Sequence, residues 1–330
     1  MQTRQLGRTG PVSSALGLGC MGMSDLYGPA DRDQALATFA GARAAGITLL
    51  DTGDFYGMGH NEMLVAEALA QVLRDQAIVS VKFGAQRGPD GGWLGYDARP
   101  VAVKCALAYS LKRLRTDYVD IYRPARLDPN VPIEDTIGAI AELVQAGYVR
   151  HIGLSEVGSE TLRRAAAVHP IADLQIEYSL ISRGIEDGVL QTCRELGIGI
   201  TAYGVLSRGL ISGHWSTGSG PTDFRSHSPR FQGDALAHNL SLVEGLRAFA
   251  AARNVTPAQV AIAWVAAQGD DIVPLIGARR PERLAEALGA VDLLLTAADL
   301  AELEQIVPKG SAAGDRYAPQ QMVMLDSERG

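Results

Sequence analysis

The sequence contains few cysteines and no long apolar run, and both shortages narrow the class of protein. Its three cysteines, Cys20, Cys105 and Cys193, are far apart, form no CxxC pair and accompany no histidines at metal-ligand spacing. We therefore expect no metal site and a reducing, cytoplasmic location. No stretch is apolar for the roughly 20 residues that a membrane span requires, and the N-terminus lacks the apolar core of a signal peptide. A soluble, unexported protein without membrane contacts is expected.

Positive charge is also scarce. The 330 residues include 30 Lys and Arg against 37 Asp and Glu, which gives a net charge of −7 at pH 7, and they contain no basic tract. A surface for nucleic acid or anionic membranes is therefore not expected, and small-molecule chemistry remains. The length and the 47% hydrophobic content suit one large core, so residues 1–330 are predicted to form one domain, as a monomer or homo-oligomer.

Short aliphatic runs alternate with longer amphipathic runs along the whole chain, and no Pro- or Ser-rich linker interrupts them. Eight short runs are predicted strands: 15–18, 47–50, 78–82, 119–122, 152–154, 174–176, 198–202 and 272–276. Predicted helices lie between or after them: 32–45, 61–73, 100–114, 133–146, 159–168, 188–196, 257–267 and 281–288. Further helices are predicted at 235–252 and 296–307, and a hairpin at 2–12. Eight strands suit a closed parallel barrel, so the predicted fold is α/β, a (β/α)8 TIM barrel with additional C-terminal helices.

A doubly wound open sheet is the alternative fold. Such a sheet binds a dinucleotide with a GxGxxG turn after its first strand. The segment Gly17-Leu18-Gly19-Cys20-Met21-Gly22 has a different spacing and precedes no immediate helix, so the barrel is favoured.

Ionisable residues follow two neighbouring predicted strands, at the barrel end where active sites of this fold lie. Asp51 and Tyr56 come after the second strand, and Lys82 closes the third. A lysine that ends an apolar strand needs a counter-charge, which Asp51 can provide. A tyrosine beside that ammonium would have a lowered pKa, which makes Tyr56 the candidate proton donor. Each residue alone is more often structural, so the hypothesis depends on the three together.

Eight ordered motifs make nearly the whole chain resemble the aldo-keto reductases, in the bacterial and plant branch with the DTGDFYG...HNE motif. They are GLGCMGMSDLYG (17–28), DTGDFYGMGHNE (51–62), VKFG (81–84), RLDP (126–129), IGLSE (152–156), QIEYSL (175–180), GIGITAYGVLSRG (197–209) and VPLIGARRPERL (273–284). The resemblance implies an oxidoreductase that reduces an aldehyde or ketone to the alcohol with hydride from a nicotinamide.

The resemblance also implies a catalytic tetrad of Asp, Tyr, Lys and His. Three of its positions are matched, by Asp51, Tyr56 and Lys82. Relatives read roughly QHRxDP after the fourth strand, and the expected His is Ala125 here. Arg123 is the candidate replacement, because strand alternation puts it on the same face as Ala125. His151 is not a candidate, because it opens the fifth predicted strand and therefore lies at the opposite, stabilising end of the barrel.

The implied cofactor is NADPH. By resemblance, its nicotinamide carboxamide is held by Ser155, Glu156 and Gln175, and Tyr203 stacks on the ring. Other implied cofactor residues are Met21, Gly22, Asp51, Gly204, Leu206, Arg208 and Gly277. Arg279, Arg280 and Arg283 stand at a predicted helix start, where phosphate binds readily, and they coincide with the family's site for the 2′-phosphate. An arginine cluster is otherwise more often a solvated face. Ala287 in place of the usual Asn, and Gly204-Val205 in place of Ser-Pro, depart from the family at the adenine end.

Two further features concern access to the site. Residues 212–234 are polar and Gly-rich, and they are predicted to be a flexible flap over the cofactor, with an ordinary surface loop as the alternative. Met23, Tyr27, Trp93 and Tyr96 are expected to shape the substrate pocket and to favour an apolar or aromatic carbonyl.

Two other functions stay open. Without the His, the chain could be a low-turnover NADPH sensor or a partner-binding subunit, which tight NADPH binding without turnover would indicate. A lyase that forms a Schiff base on Lys82 is the third possibility, and borohydride would trap it. Tyr203 and the arginine cluster argue against a lyase, because it needs neither.

Overall fold

The computed structural model describes residues 1–24, 26–215 and 223–329 and contains a closed barrel of eight parallel strands. The barrel strands are β1 (Gly17–Gly19), β2 (Leu49–Gly53), β3 (Ile78–Phe83), β4 (Val119–Pro124), β5 (Val149–Ser155), β6 (Ile171–Glu177), β7 (Gly199–Tyr203) and β8 (Ile272–Gly277). Each strand pairs with the next along the chain, and β8 closes the ring against β1 with Leu275 opposite Gly17. The predicted (β/α)8 architecture is confirmed, and the open sheet is excluded.

Helices surround the barrel and alternate with its strands. They are α1 (Arg32–Ala44), α2 (His60–Leu69), α3 (Pro100–Leu114), α4 (Ile133–Gln145), α5 (Ser159–Val168), α6 (Val189–Leu196), α7 (Gly233–Ala251), α8 (Pro257–Ala266), α9 (Pro281–Leu288), α10 (Ala297–Ile306) and α11 (Pro319–Met322). Local sequence fixes several of their ends. Thr256 and Gln259 form a capping box at the start of α8, and Gly197 ends α6 in the left-handed conformation at φ 71°.

A hairpin closes the end of the barrel where the strands begin. Its strands, Thr3–Gln5 and Val12–Ser14, are antiparallel, and the fully buried Leu6 beside them packs into the barrel. His151 pairs with Ile121 near the start of β4, and the backbone of Thr9 in this hairpin is near enough to act on its pKa. The structure therefore places His151 at the closed end, as predicted, and the opposite end, called the mouth below, carries the loops that follow the strands.

Many predicted elements differ from the observed ones by one to three residues at an end, and two of these differences have a clear cause. The helix predicted at 61–73 ends at Leu69, because the chain turns there to enter β3. The fifth strand begins at Val149 instead of residue 152, and its polar residue His151 pairs with Ile121 of β4. Among the described residues, no helix combines the length and apolar character needed to cross a membrane.

Candidate active site

Asp51 and Lys82 form a buried ion pair at the mouth. Their strands are neighbours, with Gly53 opposite Lys82, and each side chain is about 5% exposed. Lys82 Nζ donates to Asp51 Oδ1, while Ser80 Oγ at 2.9 Å and Gln175 Nε2 at 2.7 Å donate to Asp51 Oδ2. Burial lowers the pKa of Lys82, and the negative charge of Asp51 opposes this shift. The carboxylate is thus fully engaged in holding the lysine in place.

Tyr56 lies against this ion pair. The side chain is 5% exposed, and Lys82 Nζ is 5.3 Å from the centre of its ring. The sequence-based expectation of a lowered pKa is wrong for this phenol. Burial raises the pKa of Tyr56 well above 10, the negative charge of Asp51 raises it further, and the positive charge of Arg126 opposes both. This direction of shift favours the protonated phenol, which is the form that can act as an acid.

A buried asparagine fixes the loop that carries Tyr56. Asn61, which has no exposed surface, accepts from Thr52 Oγ1 at 2.7 Å and donates to the carbonyl of Cys20 at 2.8 Å. It therefore joins the end of β2 to the segment after β1. Phe55 packs edge-on against Tyr56, with ring centres 4.7 Å apart. The Tyr56 loop is thus anchored through Asn61, and the Tyr56 ring is packed against Phe55.

Arg123 is not brought to the mouth. It is fully buried, and its Nη2 donates to Asp173 Oδ2 at 2.9 Å and to Ser80 Oγ at 3.0 Å. Ser80 lies two residues before Lys82 on β3, and Asp173 lies two residues before Gln175 on β6. Both partners are therefore farther from the mouth than those residues. The guanidinium thus extends back toward the closed end, because the buried carboxylate of Asp173 attracts it there. This position does not support the predicted replacement of the missing His by Arg123.

Arg126 occupies the mouth instead, and the sequence reasoning did not single it out as a site residue. It follows β4 directly and is half-buried, next to the small, buried Ala125. Its Nη1 donates to the carbonyl of Ala125 at 2.6 Å, and its Nη2 donates to Tyr317 Oη at 3.4 Å. The available signal was its place in RLDP, directly after the vacant His position.

Ser155, Glu156 and Gln175 come together at the ends of β5 and β6, as the resemblance implied. Ser155 Oγ is buried and has no hydrogen-bond partner in the described part of the chain, so it can receive a polar ligand group. Glu156 is already engaged, because Tyr203 Oη donates to its Oε1 at 2.6 Å and Arg316 binds both of its oxygens. The Arg316 guanidinium holds the pKa of Glu156 far below its ordinary value, against the effect of burial.

The C-terminal segment contributes two mouth residues that the sequence reasoning missed. Arg316 is 6% exposed and bridges Glu156, at 2.6 Å, to Glu177, at 3.3 Å. Tyr317 Oη lies 2.9 Å from Tyr203 Oη. No motif of the segment indicated this position, which depends on partners more than 110 residues away.

The predicted phosphate residues gather around the start of α9. Arg279 Nη1 donates to the carbonyl of Tyr27 at 2.7 Å, and a side chain on Gly22 would lie 3.2 Å from the Arg279 stem. Burial lowers the pKa of Arg279, and the positive charges of Arg280 and Arg225 lower it further. Crowded guanidinium groups of this kind suit an anion.

The other predicted cofactor residues divide between free and engaged groups. Arg280 is 59% exposed, with Glu282 only at 3.9 Å, whereas Arg283 is bonded to Glu286 at 3.1 Å. Arg208 is paired with Glu177 at 3.1 Å. The remaining predicted cofactor residues carry no charge. Met21 follows β1, Gly204 and Leu206 follow β7, and Gly277 ends β8.

Of the predicted flap, residues 216–222 lie outside the described residues. Residues 223–231 form two short 3-10 turns, and Phe224 packs edge-on against Tyr27 at 4.9 Å between ring centres. The segment after β7 therefore reaches the loop after β1. Of the predicted pocket residues, Trp93 is 48% exposed on a hairpin after β3, while Met23 is 1% exposed and belongs to the hydrophobic core.

The closed (β/α)8 barrel, with a buried Asp-Lys ion pair beside a tyrosine at its mouth, is the arrangement that the resemblance to the aldo-keto reductases implied. The sequence model of the Aldo/keto reductase family matches residues 15–308, and the chain belongs to that family. The probable aldo-keto reductase 1 of Glycine max is 41% identical over 322 residues, covering 96% of this chain and 92% of that protein. The aldo-keto reductase yakc [NADP(+)] of Schizosaccharomyces pombe is 39% identical over 323 residues, covering 96% and 94%.

Solved structures show the same similarity. The glycerol dehydrogenase AKR11B4 of Gluconobacter oxydans superposes with a TM-score of 0.84 at 27% identity, covering 92% of this chain and 94% of that one. The aldo-keto reductase AKR11C1 of Bacillus halodurans gives a TM-score of 0.78 at 28% identity, covering 96% and 98%. The protein is therefore an oxidoreductase of the aldo-keto reductase type.

Proposed function

We propose that the protein reduces aldehyde or ketone carbonyls to alcohols with NADPH. The observation that carries this proposal is the buried Tyr56 beside the Asp51–Lys82 ion pair at the barrel mouth. Burial raises the pKa of Tyr56, which favours its protonated form. A weak acid held in its protonated form, next to a cation that can stabilise its conjugate base, suits proton donation to a carbonyl oxygen.

The residues at the mouth fit a nicotinamide. When bound, this cofactor supplies hydride to the carbonyl carbon. The unpartnered Ser155 Oγ and the side-chain amide of Gln175 would hold its carboxamide, and the Tyr203 ring would support its flat face.

The protein's own part of the reaction is proton transfer and charge stabilisation. Tyr56 Oη would give its proton to the carbonyl oxygen as the alkoxide forms. Lys82 lies 5.3 Å from the phenol ring and would stabilise the resulting tyrosinate. Asp51 opposes the loss of charge that burial favours at Lys82, so the Asp51 carboxylate acts through the lysine and not on the substrate.

The preference for NADPH over NADH is proposed from the charge at the start of α9. Arg280 and Arg225 both act on the Arg279 guanidinium with like charge, although Arg225 is also paired with Asp223 at 2.7 Å, and a 2′-phosphate would offset the positive charge around Arg279. The relative from S. pombe carries NADP(+) in its name, which supports the same choice. Arg280→Met should raise the KM for NADPH by about 10-fold or more, because a charge-assisted hydrogen bond is lost, and should leave the KM for NADH unchanged. Equal effects on both cofactors would contradict a phosphate contact.

A low-turnover NADPH sensor or partner-binding subunit is the second candidate. Ala125 in the His position favours it, since the usual donor to the carbonyl oxygen is missing. NADPH binding without oxidation by any of a broad panel of aldehydes would select this function. A Schiff-base lyase is disfavoured, because Lys82 is buried and forms an ion pair with Asp51. Borohydride trapping tests for lyase activity.

A further inference from the structure

Arg126 is a guanidinium without a carboxylate partner at the mouth. Its two hydrogen bonds are to neutral oxygens, the Ala125 carbonyl and the Tyr317 hydroxyl, and no salt bridge within 4.0 Å involves it among the described residues. Arg208 and Arg316 at the same end are neutralised by Glu177 and Glu156. A guanidinium has five N–H donors, so Arg126 retains donors for a ligand.

The surroundings of Arg126 are the phenols of the candidate site. Arg126 Nη2 donates to Tyr317 Oη, which lies 2.9 Å from Tyr203 Oη, and the Arg126 guanidinium is 5.9 Å from the centre of the Tyr317 ring. Its charge is also the one that lowers the pKa of Tyr56 against burial and Asp51. Tyr56 and Arg126 follow β2 and β4, the strands on either side of β3, at the mouth of the barrel, so we place the carbonyl oxygen that accepts the Tyr56 proton between these two side chains.

We propose that Arg126 donates a hydrogen bond to the carbonyl oxygen of the substrate and so takes the part of the family's missing histidine. This inference depends on the proposed reductase function. In that reaction the carbonyl π bond breaks, the carbon gains hydride from the nicotinamide, and the oxygen gains the proton of Tyr56. The carbonyl is reduced and the nicotinamide oxidised, while Arg126 keeps all its protons and stabilises the negative charge that builds on the oxygen.

An arginine as the donor to the carbonyl oxygen has a consequence that a histidine donor would not have. A histidine donor titrates near pH 6.5, whereas a guanidinium keeps its charge at every pH at which the fold survives. The reduction rate should therefore show no inflection near pH 6.5 that belongs to the carbonyl donor. Because the donor is charged, its hydrogen bond to the developing alkoxide is also stronger than that of a neutral group.

The test compares Arg126→Met and Arg126→Lys with the intact protein on two aldehydes of equal shape, 4-nitrobenzaldehyde and 4-carboxybenzaldehyde. We expect Arg126→Met to lower kcat about 10²-fold on both aldehydes, because one donor to the oxyanion is lost. Arg126→Lys should recover part of the rate, and added guanidinium ion should partly restore Arg126→Ala. The affinity for NADPH, measured by quenching of protein fluorescence, should stay within about twofold, which also shows that the variants fold. Arg164→Met, at an exposed ion pair with Glu134, is the matched control and should behave like the intact protein.

Three outcomes would overturn the inference. An unchanged kcat in Arg126→Met, with Tyr56→Phe inactive, rejects the role of Arg126 and leaves the reductase function standing. An increased KM for 4-carboxybenzaldehyde alone shows that Arg126 anchors a substrate carboxylate instead. The absence of NADPH oxidation by the intact protein on a broad aldehyde panel rejects the reductase function, and this inference with it.

Discussion

Replacing Arg123 by Met should destabilise the fold in a way that depends on pH. Arg123 and Asp173 have no exposed surface, and they are joined at 2.9 Å inside the barrel. Burial raises the pKa of Asp173 above its ordinary value of 3.8, and the positive charge of Arg123 opposes that rise. With Arg123 removed, the carboxyl group will take up a proton on folding, because an unpaired buried charge costs more free energy than protonation does.

The cost of protonation sets the size of the effect. Holding a carboxyl neutral costs about 1.4 kcal/mol for each pH unit above its unfolded pKa. Protonation of Asp173 therefore lowers the free energy of unfolding of Arg123→Met by at most about 4 kcal/mol at pH 7 and about 2 kcal/mol at pH 5, and this loss is the deficit referred to below. A group whose folded pKa is raised loses stability as pH rises above the unfolded value, so the deficit must widen from pH 5 to pH 7.

Urea unfolding followed by circular dichroism at pH 5, 6 and 7 measures this deficit directly. Arg164→Met removes an exposed ion pair and should cost at most about 1 kcal/mol at each pH. The double variant Arg123→Met with Asp173→Leu should recover much of the loss, because both buried charges are then gone. A deficit that is equal at pH 5 and pH 7, or that stays below 1 kcal/mol, would refute the reasoning.

Two other predictions concern packing and the C-terminal segment. A side chain on Gly153 would lie 2.6 Å from Asp173 Oδ1, so Gly153→Ala should cost about 1 to 3 kcal/mol, whereas Gly138→Ala in α4 meets open space and should stabilise by up to about 1 kcal/mol. Equal unfolding midpoints for the two variants would contradict this contrast. Arg316→Met leaves Glu156 buried without its main cation, and residues 312–329 should exchange amide hydrogens faster in mass spectrometry. Unaltered protection would show that the segment is held by other contacts.

The barrel could be predicted because its signals are local. Each strand is an aliphatic run, and most helices carry their own start or stop, such as Pro100 at the start of α3 and Gly197 after α6. The predicted fifth strand omitted the first three residues of β5, because Arg150 and His151 interrupt its apolar pattern. Their backbone is nevertheless paired with β4, and this pairing is a tertiary effect that a single strand's sequence does not show.

The candidate site could be predicted only where motif and strand end coincide, as for Asp51, Tyr56 and Lys82. The direction of the pKa shift of Tyr56 was predicted wrongly, because the extent of its burial and the effect of the Asp51 charge on the phenol appear only in three dimensions. Arg316 is 160 residues from Glu156, and no local pattern indicates such a contact. Alternation along β4 favoured Arg123, but Asp173 draws its long side chain away from the mouth.

The most direct test of the central claim is the loss of NADPH absorbance with a panel of aliphatic and aromatic aldehydes, for the intact protein and for Tyr56→Phe. We expect turnover by the intact protein and a loss of at least about 10²-fold in kcat in the variant, because the proton donor is removed. Fluorescence quenching should show that both proteins bind NADPH equally well. Turnover that survives in Tyr56→Phe, or NADPH that binds the intact protein and is never oxidised, would contradict the account.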